Sequence, residues 1–294
     1  MDNILNNLKH EFKKGTILNK LIYINIGMFL LFSILGVLSY FITGSEDISP
    51  LLNKLYLPAE NSRLISQPWT FITYMFLHSG FMHLLFNMLW LHFGGKIFLQ
   101  YLHPKQLLST YILGGISGGL LFIIAYNYIP SLQGYLYGAQ ALGASASVLA
   151  IIVAIATYTP NYSVQLPFIG FVKLKHIAIF TVALDIISIP KGNTGGHIAH
   201  IGGAIFGYIY IKQLQKGNDF STGFSNFFER LVNTFKNKSK LKTVHKRAKT
   251  DYEFNSGKSA QQKEIDKVLE KISKSGYESL SKEEKATLFS ASKK

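Results

Sequence analysis

The chain has 294 residues, 48% hydrophobic and 16% charged, with nine histidines, no cysteine and a formal net charge of +14. Without cysteine there are no disulfides, thiolate metal sites or cysteine nucleophiles, so covalent chemistry falls to Ser, Thr, Lys or a carboxylate. Residues 1–215 carry 12 Lys and Arg against 6 Asp and Glu, and residues 216–294 carry 18 against 10; basic residues bordering apolar spans report orientation and lipid contact, and with no RNA- or DNA-binding motif beside them nucleic acid is not an expected partner.

From Leu21 to Thr43 no charge occurs for 23 residues. At about 1.5 Å per residue, such a helix crosses a hydrocarbon core of roughly 30 Å. It is too long for a signal-peptide core and no A-x-A site precedes Gly44-Ser45-Glu46, so it reads as a retained first span. The connection Gly44–Trp69 is long, includes the apolar run Leu55-Tyr56-Leu57, and is expected to have structure of its own, partly in the membrane interface.

Five further apolar stretches follow, at Phe81–Leu99, Gln106–Tyr128, Ala141–Tyr158, His176–Ile189 and Gly196–Leu214. The expected fold class is all-α, a polytopic membrane bundle of six transmembrane helices with a C-terminal helical hairpin. Lys9, Lys13, Lys14, Lys20, Lys96, Lys105, Lys173, Lys175, Lys212 and Lys216 all fall on one side of that arrangement, so the positive-inside rule puts both termini in the cytoplasm. Gly114 with Gly118, Gly115 with Gly119, and Gly203 with Gly207 form small-xxx-small pairs, and span four, with Gly143, Ala144, Ser145, Ala146, Ser147 and Ala150, reads as the crowded central helix.

In this orientation spans two, four and six begin on the non-cytoplasmic side, which brings His83, Asn87, Ser145 and His200 to one level. Ionisable and polar groups at membrane depth are expensive and usually face a cavity or a partner. A serine and a histidine at matching depths are what a hydrolase acting inside the bilayer needs, and His83 and Asn87, at i and i+4, share a helix face. His197-x-x-His200 spacing also suits zinc, but no carboxylate is expected beside the histidines at that depth, and that reading leaves Ser145 and Asn87 without a role. Asp185, the acid of spans three to six, is placed toward the outer part of span five with no catalytic part, and His197 reads as an interface residue. No metal or other cofactor is expected.

The ordered motifs His78, His83-x-x-x-Asn87, Gly143-x-Ser145 and His200-x-x-Gly203-x-x-x-Gly207 resemble those of the rhomboid intramembrane serine proteases. The resemblance covers residues 20 to 215. It implies a Ser-His dyad with Ser145 as nucleophile and His200 as base and then acid, and cleavage of single-span membrane proteins near the outer membrane boundary. His83, Asn87, Gly143 and the Ser145 N–H are the candidates for stabilising the oxyanion. Trp69, His78, Gly203 and Gly207 are expected to be structural neighbours of the site. Three positions depart from the family pattern: Ala146 stands for a glycine, Leu149 for an aromatic that packs on the base, and Thr70 for the arginine of a Trp-Arg pair. The competing reading is a non-catalytic rhomboid-like protein that binds membrane helices.

The expected organisation is a cytoplasmic segment at 1–20, a six-span domain at 21–215, a basic juxtamembrane linker at 216–257 and a cytoplasmic hairpin at 258–294, in a bacterial inner membrane. Lys236 to Lys249 holds seven basic residues in fourteen and no acid, which suits contact with anionic lipid. From Ser259 a helical stripe of Ile265, Val268, Leu269 and Ile272 runs to a stop at Gly276, and Ser281 with Glu284 makes a capping box. So small a hairpin buries little by itself and resembles a module attached to some bacterial rhomboids. It is expected to dock on the core, on a copy of itself or on a partner.

Overall fold

The computed structural model describes residues 14–166, 169–224 and 251–291, in two units, Met1–Lys236 and Asn237–Lys294. Lys9, Lys13 and the basic segment Lys236–Lys249 lie outside the described residues. Among the described residues the first unit has six long helices: α1 Ile17–Thr43, α2 Phe81–Tyr101, α3 Pro104–Tyr128, α4 Ser145–Tyr158, α5 Leu174–Ser188 and α6 Thr194–Gln215. Each lies within four residues of an expected span at either end. The protein is a polytopic helical membrane bundle.

By length and composition α1 and α3 can each cross a bilayer, whereas the apolar α4 has only 14 residues. The outer faces carry the same message. Leu30, Leu31, Ile34, Val37, Leu38, Phe41 and Ile42 of α1 are exposed, as are Ile179, Phe180, Leu184, Ile186 and Ile187 of α5. Aliphatic faces of that extent suit hydrocarbon, where helices leave no backbone group unpaired. Local chemistry sets the ends of α1. Thr16 Oγ1 accepts the Asn19 N–H at 3.2 Å, and Gly44, at φ 76°, donates its N–H to the Tyr40 carbonyl at 2.9 Å.

Small residues let α4 sit at the centre. Its residues Ala146 to Ala156 are all buried. Gly118 and Gly114 of α3 face Ala146 and Ala150 in that order, whereas Gly203 and Gly207 of α6 face the carbonyls of Ala146 and Ala150. Thus α3 runs antiparallel to α4, and α6 runs parallel to it. A Cβ at either α6 glycine would overlap a backbone oxygen of α4, so both are needed for close approach. The neighbouring glycines of α3 extend these contacts, Gly115 against Met75 and against Ser147 of α4, and Gly119 against Leu57.

The connection between α1 and α2 is folded. It contains short helices at Ser49–Leu52, Asn61–Ser66 and Thr70–Thr73 and a 3-10 turn at Tyr74–Phe76. Its strand β1, Leu57–Pro58, pairs antiparallel with β2, Gln140–Ala141, in the approach to α4. Side chains tie it down through backbone oxygens: Trp69 Nε1 donates to Lys54 at 2.8 Å, Thr73 Oγ1 to Leu55 at 2.7 Å, and Arg63 to Asn53 at 3.2 Å. Thr70 is fully buried and its hydroxyl donates to the Gln67 carbonyl at 2.7 Å. A guanidinium from Arg63, seven residues before Thr70, therefore serves this loop where the Trp-Arg pair is missing.

A hairpin, β3 Ser163–Leu166 with β4 Gly170–Lys173, joins α4 to α5. Beyond α6, Asp219 gathers the N–H of Ser221 at 2.8 Å, the Gln106 amide at 2.9 Å and the Tyr210 hydroxyl at 3.2 Å. Burial acts to raise its pKa, but these donors outweigh it and hold the carboxyl below the usual range.

The second unit is a helical hairpin of α7, Asp251–Ser275, and α8, Lys282–Ala291. Its first helix begins eight residues before the expected Ser259. Gly276, at φ 76°, closes α7 with its N–H on the Ile272 carbonyl at 2.9 Å. Both halves of the capping box form, Ser281 N–H to Glu284 at 2.7 Å and Glu284 N–H to Ser281 Oγ at 3.2 Å. Val268 and Leu280 are buried, Lys271 pairs with Glu284 at 2.8 Å, and Lys285 lies over the Tyr277 ring at 4.8 Å.

Candidate active site

Ser145 is the first residue of α4, where the backbone N–H groups have no partner within the helix. The chain reaches it through Gly143, whose φ of 122° disfavours a side chain and whose N–H donates to the Tyr74 carbonyl at 2.9 Å. A Cβ at Gly143 would also stand 2.9 Å from His83 Cε1. Glycine here permits both the turn and the approach of the imidazole.

His200 lies almost two turns inside α6, deeper than a helix-opening position. Its Nε2 is 2.6 Å from Ser145 Oγ and its Nδ1 is 2.8 Å from Asp185 Oδ1. The same carboxylate oxygen is 2.7 Å from His197 Nδ1. This corrects the expectation for Asp185, which sits at the level of the histidines because α5 and α6 form an antiparallel pair with a short connection. It equally corrects His197, which bonds a carboxylate rather than merely filling an interface. Sequence offered two signals for them: a lone acid within a strongly apolar helix, and histidines at i and i+3, which share a helix face.

His83 approaches from α2. Its Nδ1 lies 3.1 Å from Ser79 Oγ and accepts the Ser79 backbone N–H at 3.4 Å. A backbone N–H only donates, so Nδ1 is the acceptor and Nε2 carries the proton toward Gly143. Asn87 Nδ2 uses one hydrogen on the His83 carbonyl at 2.8 Å, which leaves its second for the cavity. His78 packs edge-on to His83, ring centroids 5.1 Å apart. Trp69 lies outside the cavity and holds the loop, while Gly203 and Gly207 fit α6 to α4.

Ser145, His200, Asp185, His83, Asn87 and Gly143 line a cavity of about 730 Å³. Met82, Phe86, Trp90, Leu142, Val148, Leu149 and Ile152 line much of the remainder. An apolar trough ending at a serine, a base and aimed N–H donors has the parts of an acyl-transfer site. The positive end of the α4 dipole adds to the field favouring a developing oxyanion. The departures from the family pattern are accommodated. Ala146, 2% exposed, puts its methyl in the space left by Gly118, and Leu149 lines the cavity where no aromatic is available.

Asp185, His197 and His200 offer ligand atoms within 4.8 Å of one another, a set that also has the donors for a divalent cation. His200, however, turns its second nitrogen to Ser145.

The fold and this site together define a polytopic membrane protein with a serine–histidine pair at the head of its central helix. Residues 66–216, half of the chain, match the rhomboid domain, and the chain belongs to the rhomboid family. Residues 248–294 match a family of unknown function, DUF6576. Similar proteins include RHOMBOID-like protein 12, mitochondrial, of Arabidopsis thaliana, 30% identical over 50% of this chain and 47% of its own length. Presenilin-associated rhomboid-like protein A, mitochondrial, of Danio rerio is 31% identical over 46% and 35%. Rhomboid protease GlpG of Haemophilus influenzae is 28% identical over 57% and 79%. The chain thus spans half or less of the first two relatives. The family includes serine intramembrane proteases.

Proposed function

We propose that this protein is a serine endopeptidase that cuts single-span membrane proteins near the non-cytoplasmic boundary of the membrane. The observation that carries this reading is the 2.6 Å contact between His200 Nε2 and Ser145 Oγ. A serine hydroxyl is a weak nucleophile at neutral pH unless a base removes its proton as it attacks. His200 accepts that proton, Ser145 Oγ bonds to the scissile carbonyl carbon, and the proton passes to the leaving amine when the C–N bond breaks. Water then hydrolyses the acyl-enzyme by the same route. The Ser145 N–H, His83 Nε2–H and the free Asn87 N–H supply donors for the oxyanion.

The lysine distribution supports cytoplasmic termini, and the C-terminal unit suits a bacterial inner membrane, although two of the relatives are mitochondrial. The partners in this reading are transmembrane substrates, anionic lipid at Lys236–Lys249, and a copy or partner at residues 258–294. The test is incubation of the purified protein in lipid with a model single-span substrate. Cleavage by wild type, none by Ser145→Ala, and fluorophosphonate labelling at Ser145 alone support the reading. A folded wild type that captures the substrate but neither cuts nor labels is instead a membrane-helix binding protein.

A further inference from the structure

We infer that Asp185 is a positioning residue for His200, and that His197 in turn holds Asp185, so that the site works as a Ser145–His200–Asp185 relay rather than a bare pair. This rests on the hydrolase reading above. The three contacts are 2.6 Å from Ser145 Oγ to His200 Nε2, 2.8 Å from His200 Nδ1 to Asp185 Oδ1, and 2.7 Å from His197 Nδ1 to the same oxygen.

A neutral imidazole has one N–H and one lone pair, and an ionised carboxylate only accepts. With Asp185 on Nδ1, the proton of His200 is placed on Nδ1 and the lone pair on Nε2, facing the serine O–H. That is the tautomer a general base needs. When Ser145 attacks, its proton moves to Nε2, the Nδ1 proton stays in place, and Asp185 keeps its charge beside the new imidazolium. The proton on Nε2 then leaves with the amine. Leu149, which lines the cavity, offers His200 neither a polar group nor an aromatic face. Orientation of the ring therefore falls to Asp185 and to the His197 ring, which packs edge-on to it with centroids 5.9 Å apart.

His197 makes that carboxylate a fixed acceptor. It stands one turn before His200 on the same helix, and its Nδ1–H reaches the same oxygen. The connection between α5 and α6 is also closed locally, with the Thr194 hydroxyl on the Ile189 carbonyl at 2.7 Å. A purely structural alternative exists, because α5 buries only Leu174, Ile177 and Ala178, all near its start. Asp185 would then serve only to fasten the far half of α5 to α6.

The experiment separates the two on the full-length protein in lipid. In Asp185→Asn the amide presents either a donor or a weaker acceptor to His200. The corresponding change in buried triads lowers kcat by roughly 10⁴; at this partly buried site we expect about a 100-fold loss of kcat with KM within twofold. In Asp185→Ala, added formate should restore part of the lost rate and leave wild type unaffected, which a fastening role does not predict. A folded Asp185→Asn enzyme with kcat within threefold of wild type overturns the inference. NMR of wild type with ¹⁵N-labelled histidine needs no variant of Asp185: a His200 ring protonated at Nδ1 supports it, and one protonated at Nε2 overturns it. Loss of wild-type cleavage on chelation also overturns it, by giving the three groups to a cation. If Ser145→Ala still cleaves, the hydrolase reading itself has failed; if only the Asp185 results fail, that reading stands without the relay.

Discussion

The Tyr74 carbonyl accepts the Gly143 N–H at 2.9 Å, while the Tyr74 hydroxyl donates to the Gly115 carbonyl at 2.6 Å. One buried residue, by its backbone and its side chain, thus links the folded α1–α2 connection, helix α3 and the turn that presents Ser145. Position of the nucleophile depends on packing well outside the reacting atoms, and several expected outcomes follow from that architecture.

Ser145→Ala and His200→Ala should each reduce cleavage to background, and the double variant should be no worse than either single one. Both groups act in one proton transfer, so their effects are not additive. Initial rates on one substrate preparation decide it, and a double variant slower than both singles contradicts a shared step.

Asn87→Ala and His83→Ala should lower kcat by about 100-fold each with a smaller change in KM, the usual range for loss of one oxyanion donor. Steady-state kinetics on wild type and both variants measure the split. A rise in KM alone would assign these side chains to substrate binding.

Ala146→Gly removes a methyl that fills the space above Gly118 and places glycine in the first turn of α4. Cleavage should persist, with stability lower by about 1 kcal/mol. Thermal unfolding in detergent reads the change. A gain in stability would mean that the methyl is strained where it stands.

Gly203→Ala should be more damaging, because its Cβ would overlap the Ala146 carbonyl oxygen. Relief requires α6 to move away from α4, at a cost of about 1–3 kcal/mol. The same motion separates His200 from Ser145, so kcat and melting temperature should fall together. A stable but inactive variant would show displacement of the pair without unfolding.

In the hairpin, the Lys271 ammonium and the Ser281 N–H hold the Glu284 carboxyl below the ordinary carboxylate range. A depressed folded value contributes stability above the unfolded pKa and loses it as pH falls through the folded one. Carboxyl-carbon NMR should show Glu284 titrating below its ordinary value, and Lys271→Met should move the midpoint upward. Equal midpoints would leave the ion pair without weight in solution.

Six helices could be read from the chain because each is a long apolar run bounded by lysine, glycine or proline. The order of His83, Asn87, Ser145 and His200 along those runs pointed to the site. Asp185 escaped because its role depends on depth, and depth is set by how far α5 and α6 overlap as an antiparallel pair; a four-residue error along a helix is about 6 Å at its end. Strands β1 and β2 escaped for another reason. They are two residues each and more than eighty residues apart, so neither carries a local period. Ser163–Leu166 and Gly170–Lys173 are longer, but alternation over four residues is too short to separate a strand from a polar connection.

Helix α5, with 15 residues, is about 22 Å long against a hydrocarbon core of roughly 30 Å, and its exposed aliphatic face puts it against lipid. A helix so short cannot match both surfaces of the lipid around it, and the mismatch must be taken up by the bilayer or by tilt. Lipid chain length then becomes a variable of the site. Reconstitution in progressively longer-chain lipids should first shift catalysis and only later unfold the bundle, so that the thickness of the surrounding membrane acts on Ser145 without touching it.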